Sequence, residues 1–271
     1  MEAKPRLPDA QVNIPREHPL QEAGLLAIAG AVLAGFSTLV VLFFVEIIVW
    51  ALPPRIEAAW LSTEELLPQQ VLAQDDATTQ QLQGLLDELA QHWPNNPYDL
   101  HLRVIDAEEE NAFAVPGGLI LVTSGLIAEA TSENELAFVL AHEIGHFRNR
   151  DHLRGLGRKA LLSVLLAGAG VYGNSSLLDV TSGLLELRFG RGQEEAADRV
   201  ALSLLQQHYG HVGHSWDFLR RAVDEAGLEE VIPTFLRTHP ASAARVAALR
   251  QLAEQRGYAV SGAVRPWPSD N

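Results

Sequence analysis

ELAFVLAHEIGHF, residues 135–147, decides how this chain is read. Positions i and i+4 of a helix share one face, so His142 and His146 can turn their imidazoles toward a common metal ion. Glu143 follows His142 directly, which sets its carboxylate beside the open coordination position of such an ion. Zinc lowers the pKa of a coordinated water towards about 7, and a neighbouring carboxylate takes the proton as that water attacks a carbonyl. The same carboxylate can then hand the proton to a leaving amine. A motif this short can arise by accident, and a surface helix with two histidines is the plain alternative. The apolar flanks and Ile144 point to a buried helix instead. There, two histidines and a glutamate are costly unless they are paired or bind metal. Ser132 and Glu135 stand at capping-box spacing, so the helix starts near 133.

Such a site needs a third ligand, and QEEAADRVAL (193–202) offers one. Glu194 and Asp198 are again spaced i, i+4 in a helical pattern, and Ala196 and Ala197 between them permit close approach of another helix. Glu194 can complete a two-histidine, one-glutamate zinc site. Asp198 is then placed to accept the outer N–H of a ligating histidine, which fixes its tautomer and orientation. Alone, this segment would read as an exposed acidic helix face. Downstream of the histidine motif, the ligand reading prevails.

The surroundings supply a scaffold. DATTQQLQGLLDELAQH (76–92) is a helix closed by Pro94, while HLRVIDA (101–107) and GLILVTSG (118–125) read as neighbouring strands. From 150 to 256 the pattern is mainly helical, broken by Gly and Pro. ALLSVLLAGAGVY (160–172) is short for a membrane span and reads as a helix packed on the domain, over the active site or re-entrant in a membrane.

The N-terminal part is different. Residues 1–23 are polar and proline-rich, a flexible leader, after which Gly24–Val45 carries no charge at all. A span needs roughly 20 apolar residues, so 24–52 is expected to be one transmembrane helix, ended by Pro53-Pro54 with Trp50 near one interface. A signal peptide would be shorter, closer to the start and followed by a small-residue cleavage site. Lys4, Arg6 and Arg16 precede the span and only Arg55 follows closely, which favours an exported C-terminal domain. Residues 53–75 are a linker, 76–256 the catalytic domain and 257–271 a tail.

Net charge is −14 and the pI is near 5.1, which argues against a nucleic-acid partner, because phosphate binding needs a basic patch. The chain has no cysteine, which excludes disulfides, thiol catalysis and cysteine-ligated zinc.

NAFAVPGGLILVTSGLIAEATSENELAFVLAHEIGHFRNRD (111–151) resembles the core of the zinc metallopeptidase family that includes HtpX and the CAAX prenyl endopeptidase. That family has an N-A-F-x-x-P-G-G strand segment before H-E-x-x-H. It also has a later E-x-x-A-D motif, matched by Glu194–Asp198, and a T/S-H-P segment, matched by Thr238-His239-Pro240 with Arg245 downstream. The resemblance covers about 75–256. It implies an α+β, mostly helical, zincin-like domain with a small β-sheet. It also implies one Zn2+ per chain and cleavage of membrane-associated or misfolded polypeptides. By the same resemblance Gly117, Gly118 and the strand Leu119, Ile120 to Val122 align substrate as an edge strand, and Arg245 belongs to the substrate side. A plain turn is the other reading of Gly117-Gly118. The resemblance places His239 in the active site, as an oxyanion donor or as a fourth zinc ligand in a latent state; it could also simply cap a helix.

The interval between the histidines and Glu194 is shorter than in membrane relatives, which favours the soluble-domain branch over prenyl-protein processing. His208, His211 and His214 could gather a second metal, although such a tract without rigid spacing usually belongs to a solvated loop. A competing function is a zinc-retaining, membrane-tethered chaperone or adaptor that seldom cuts. The intact Glu143 argues against it, because a non-cutting descendant has no use for the base.

Overall fold

The computed structural model describes residues 19–54, 56–57, 77–157, 189–226, 234–240 and 242–267. The expected leader, most of the linker and the 160–172 stretch lie outside these. Two compact units divide the chain, 1–46 and 47–271.

Within the first unit the described residues form most of α1 (Pro19–Ala51), a single helix long and apolar enough to cross a membrane. It starts five residues before the charge-free run and ends one residue before the expected boundary. Leu25, Leu26, Phe36, Leu39 and Phe43 stand exposed along it, which in water alone would be unfavourable for a helix with no polar face.

The second unit sets a three-stranded sheet against helices. β1 (His101–Ile105), β2 (Ala112–Val115) and β3 (Leu119–Thr123) are ordered β1-β3-β2, with β1 parallel and β2 antiparallel to β3. The two strands expected from the sequence are indeed neighbours, paired from His101↔Leu119 to Ile105↔Thr123. This order overturns the expectation for Leu119 and Ile120. Their strand is central, buried along its whole length and hydrogen-bonded on both sides, so it has no edge to offer a substrate. Gly117 and Gly118 both have φ of +99°, the left-handed side that favours glycine, and they make the tight turn from β2 into β3. A Cβ on Gly118 would lie 2.5 Å from the Asp99 carbonyl oxygen. The turn reading therefore accounts for both glycines.

α2 (Ala77–Ala90) buries Leu82, Leu85, Leu86 and Leu89. Its Gln83 reaches the outer side of β1, donating to the Leu100 carbonyl at 3.1 Å and accepting from the Leu102 N–H at 2.8 Å. One edge of the sheet is thereby covered. β2 forms the other edge.

α3 (Ser124–Glu129) leads into α4 (Glu133–Asn149), whose Ser132 hydroxyl accepts from the Glu135 N–H as the spacing predicts. Every residue of α4 from Asn134 to Phe147 is buried. Beyond 256 the chain does not trail away as a free tail. Glu133 N–H donates to the Arg265 carbonyl at 2.9 Å, and Arg265 N–H donates to Asn134 Oδ1 at 2.8 Å. The first turn of a helix has unsatisfied N–H groups, and this segment meets one of them.

α5 (Arg191–Tyr209) crosses α4 at close range, where Gly145 faces Ala197. A Cβ on Gly145 would sit 2.7 Å from the Ala197 Cα and 2.9 Å from its carbonyl oxygen. Backbone atoms cannot swing aside, so Gly145→Ala must push the two helices apart. A loss of about 1–3 kcal/mol in unfolding free energy is expected, as for other overpacked cores. Denaturant titration of the full chain in detergent checks it, and an unchanged midpoint would contradict the contact.

Candidate metal centre

The imidazoles of His142 and His146 come from consecutive turns of α4, as the i, i+4 spacing requires. Their Nε2 atoms lie 3.1 Å apart. Glu194, in the first turn of α5, puts Oε2 3.5 Å from His142 Nε2 and Oε1 3.5 Å from His146 Nε2. Atoms bound tetrahedrally to one zinc at 2.0–2.2 Å stand about 3.3 Å from each other. The three side chains have that spacing, and all are at most 1% exposed.

Glu143 is buried beside them, and neither carboxylate oxygen has a hydrogen-bond partner among the described residues. A carboxylate left bare in a protein interior is costly, so its place calls for a cation or a polar reactant next to it. His239 is fully buried too, stacked on Phe235 with 4.8 Å between ring centres. Its Nδ1 lies 3.3 Å from both His142 Nε2 and Glu194 Oε1, while its Nε2 is 3.6 Å from Glu143 Oε1. The donor atoms of His142, Glu143, His146 and His239 all fall within 4.8 Å of one another.

Behind this set lie the groups that orient it. His142 Nδ1 is 3.0 Å from Asp198 Oδ1, and His146 Nδ1 is 3.0 Å from Asp151 Oδ2. Each contact leaves the Nε2 lone pair turned to the centre. Burial alone would push the His142 pKa down, but Glu194 and Asp198 outweigh it and raise it to about 9. Burial likewise pushes Glu194 up, yet the surrounding His239 and His142 hold its carboxyl far below the usual range. The cluster thus favours positive charge, and a metal ion would replace the proton on His142.

Arg245 departs from expectation. It lies near the start of α6 (Ala243–Gln255) with its guanidinium turned to the ligands: Nε and Nη2 donate to the two Asp198 oxygens at 2.9 and 2.7 Å, and Nη1 touches Glu194 Oε2. Its donors are thus taken by the two carboxylates of α5.

The family model for peptidase family M48 matches residues 76–253, two thirds of the chain. The chain belongs to peptidase family M48. Among M48 relatives, it is similar to the beta-barrel assembly-enhancing protease of Escherichia coli K12, at 30% identity over 68% of this chain and 40% of that protein. Metalloprotease LoiP of the same organism is 30% identical over 57% of this chain and 63% of its own length. A protease HtpX homolog of Acidiphilium cryptum is 33% identical over 56% and 67%, respectively. This M48 chain therefore spans less than half of the first of these relatives.

Sequence reasoning gave no role to Asp151. Besides His146, its carboxylate accepts from Gln193 Nε2 at 2.7 Å, which ties α4 to the first turn of α5. The polar run Arg148-Asn149-Arg150-Asp151-His152 at the end of a buried helix was the available signal. Thr238 is a second omission: it donates to Asn111 Oδ1 at 3.2 Å, joining the His239 turn to the start of β2. His208, His211 and His214 are not gathered. His214 pairs with Asp217, His211 stacks near Tyr209, and His208 lies 3.5 Å from Glu88.

Proposed function

We propose that this chain is a membrane-anchored zinc endopeptidase in which His142, His146 and Glu194 hold the metal and Glu143 is the general base. The observation that carries it is the convergence of three buried donors at tetrahedral spacing next to a buried carboxylate that has no hydrogen-bond partner among the described residues. A bound zinc supplies Lewis acidity to water and to a peptide carbonyl. Glu143 takes the proton of the attacking water and returns it to the leaving nitrogen. Asp198 and Asp151 keep the two imidazoles in register, and Arg245 balances the charge of Glu194 and Asp198.

The substrate backbone is aligned by the edge strand β2. Thr123 N–H donates to the Asn111 carbonyl, so residues 111 and 123 form a bonded pair. Bonded and non-bonded pairs alternate in an antiparallel ladder, which turns the backbone groups of Ala112 and Ala114 away from β3; the Ala112 N–H is taken by Asn111 Oδ1 at 2.9 Å, which leaves Ala114 for pairing. An extended peptide can pair there. For His239 the ligand-like spacing of Nδ1 favours the fourth-ligand state over oxyanion stabilisation.

α1 anchors the domain in the bilayer, with the catalytic side exported on the strength of the flanking lysine and arginine count. Polypeptides that are misfolded or membrane-associated are the substrates, in quality control. Nucleic acid is no partner.

Zinc content decides the matter. The full chain, purified in detergent, should carry one zinc per chain, and Glu194→Ala should lose it. A folded wild type that takes up no zinc, or a variant that keeps full occupancy, would refute the ligand assignment.

A further inference from the structure

Glu57 stands upstream of the family match, which begins at residue 76, yet it is 1% exposed. Around its carboxylate three donors converge. Tyr98 Oη donates at 2.9 Å, Arg150 Nη2 at 3.2 Å, and His152 Nε2 lies at 2.5 Å. Burial pushes the Glu57 carboxyl up, but His152, Tyr98 and Arg150 outweigh this and hold it below the usual carboxylate range. It is a buried anion with a built site.

Two of those donors flank Asp151. Arg150 ends α4 in the left-handed conformation, φ 57° and ψ 34°, where glycine is favoured and another residue is tolerated only when its surroundings demand it. The demand is visible. Arg150 Nη1 donates to the Leu52 carbonyl at 2.6 Å and also to that of Val49, so the guanidinium closes the C-terminal end of α1 while Nη2 holds Glu57. Within the same three residues Asp151 faces the other way, to His146 and Gln193. Gln193 immediately precedes Glu194.

We propose that Glu57 is a positioning residue for the metal centre: by fixing Arg150 and His152 it holds Asp151 against His146, and so couples the exit of the apolar helix to zinc retention. Glu57 touches neither metal nor substrate and acts through Asp151. Removing an orienting partner of a ligating histidine typically costs 10–100-fold in metal affinity, and a residue one step further out should cost less. This inference rests on the zinc reading above.

The test is zinc release from the full chain in detergent, followed with a chromogenic chelator, for wild type, Glu57→Ala, Asp151→Asn and the double variant. Glu57→Ala should release zinc about tenfold faster than wild type, near the lower bound for an orienting partner. In the Asp151→Asn background the same change should add under about twofold, because the path is already cut. Glu57→Gln keeps an acceptor for Tyr98 and Arg150 and should fall between, which also covers a failure of Glu57→Ala to fold. General loosening of the fold would instead multiply in full with Asp151→Asn. Release unchanged in both Glu57 variants, or full multiplication, overturns the coupling and leaves the zinc reading standing. A wild type without zinc overturns both.

Discussion

Glu143→Gln is expected to keep the fold and its zinc while losing cleavage of an unfolded protein such as casein by at least about 10²–10⁴-fold, the usual contribution of a positioned base. Glutamine matches glutamate in size but cannot take a proton. Neither oxygen of Glu143 has a hydrogen-bond partner among the described residues, so the substitution breaks no such bond. It removes a buried charge, and the metal-free protein should be at least as stable as wild type. Two measurements are needed together, zinc per chain and initial cleavage rate. Wild-type cleavage by the variant would eliminate Glu143 as the base; simultaneous loss of zinc would move it into the ligand set.

Arg245→Ala should have the largest effect on stability. Its guanidinium is the cation that lies between Glu194 and Asp198, both buried. Taking away one side of a buried ion pair costs roughly 3–5 kcal/mol, because the remaining carboxylates are left uncompensated. Domains are stable by only about 5–15 kcal/mol, so much of the folded margin goes with it. Zinc brings positive charge to the same place and should restore part of the loss. Thermal melts of the full chain with and without added zinc read this directly. The variant should gain more from zinc than wild type does. An equal gain would show that Arg245 supports the fold elsewhere.

The candidate metal ligands were legible because helical periodicity turns spacing into geometry. A step of four from His142 to His146, and another of four from Glu194 to Asp198, each specify one face of one helix. Gly145 and Ala197 explain why the two helices can approach closely enough for both faces to meet. Strand order was not legible in the same way. GLILVTSG shows β-forming residues, yet a fully apolar five-residue run suits a central strand or a buried edge equally, and only the pairing with both β1 and β2 settles it. The family resemblance put Arg245 on the substrate side; α6 instead brings it behind the carboxylates. Asp151 and Glu57 escaped for a related reason. A polar residue after a helix looks like a solvated end until its partners, 42 and 93–95 residues away along the chain, are known.

The clasp between Arg265 and the start of α4 bears on biosynthesis. Arg265 lies 132 residues beyond Glu133, and a ribosome adds about 5–20 residues each second. The helix carrying both histidines therefore emerges many seconds before its first turn gains that partner. Glu194 also arrives in the interval. A nascent chain holds the histidine pair before Glu194 and the clasp have been made, so the candidate metal centre is completed only once most of the domain around it has been synthesised.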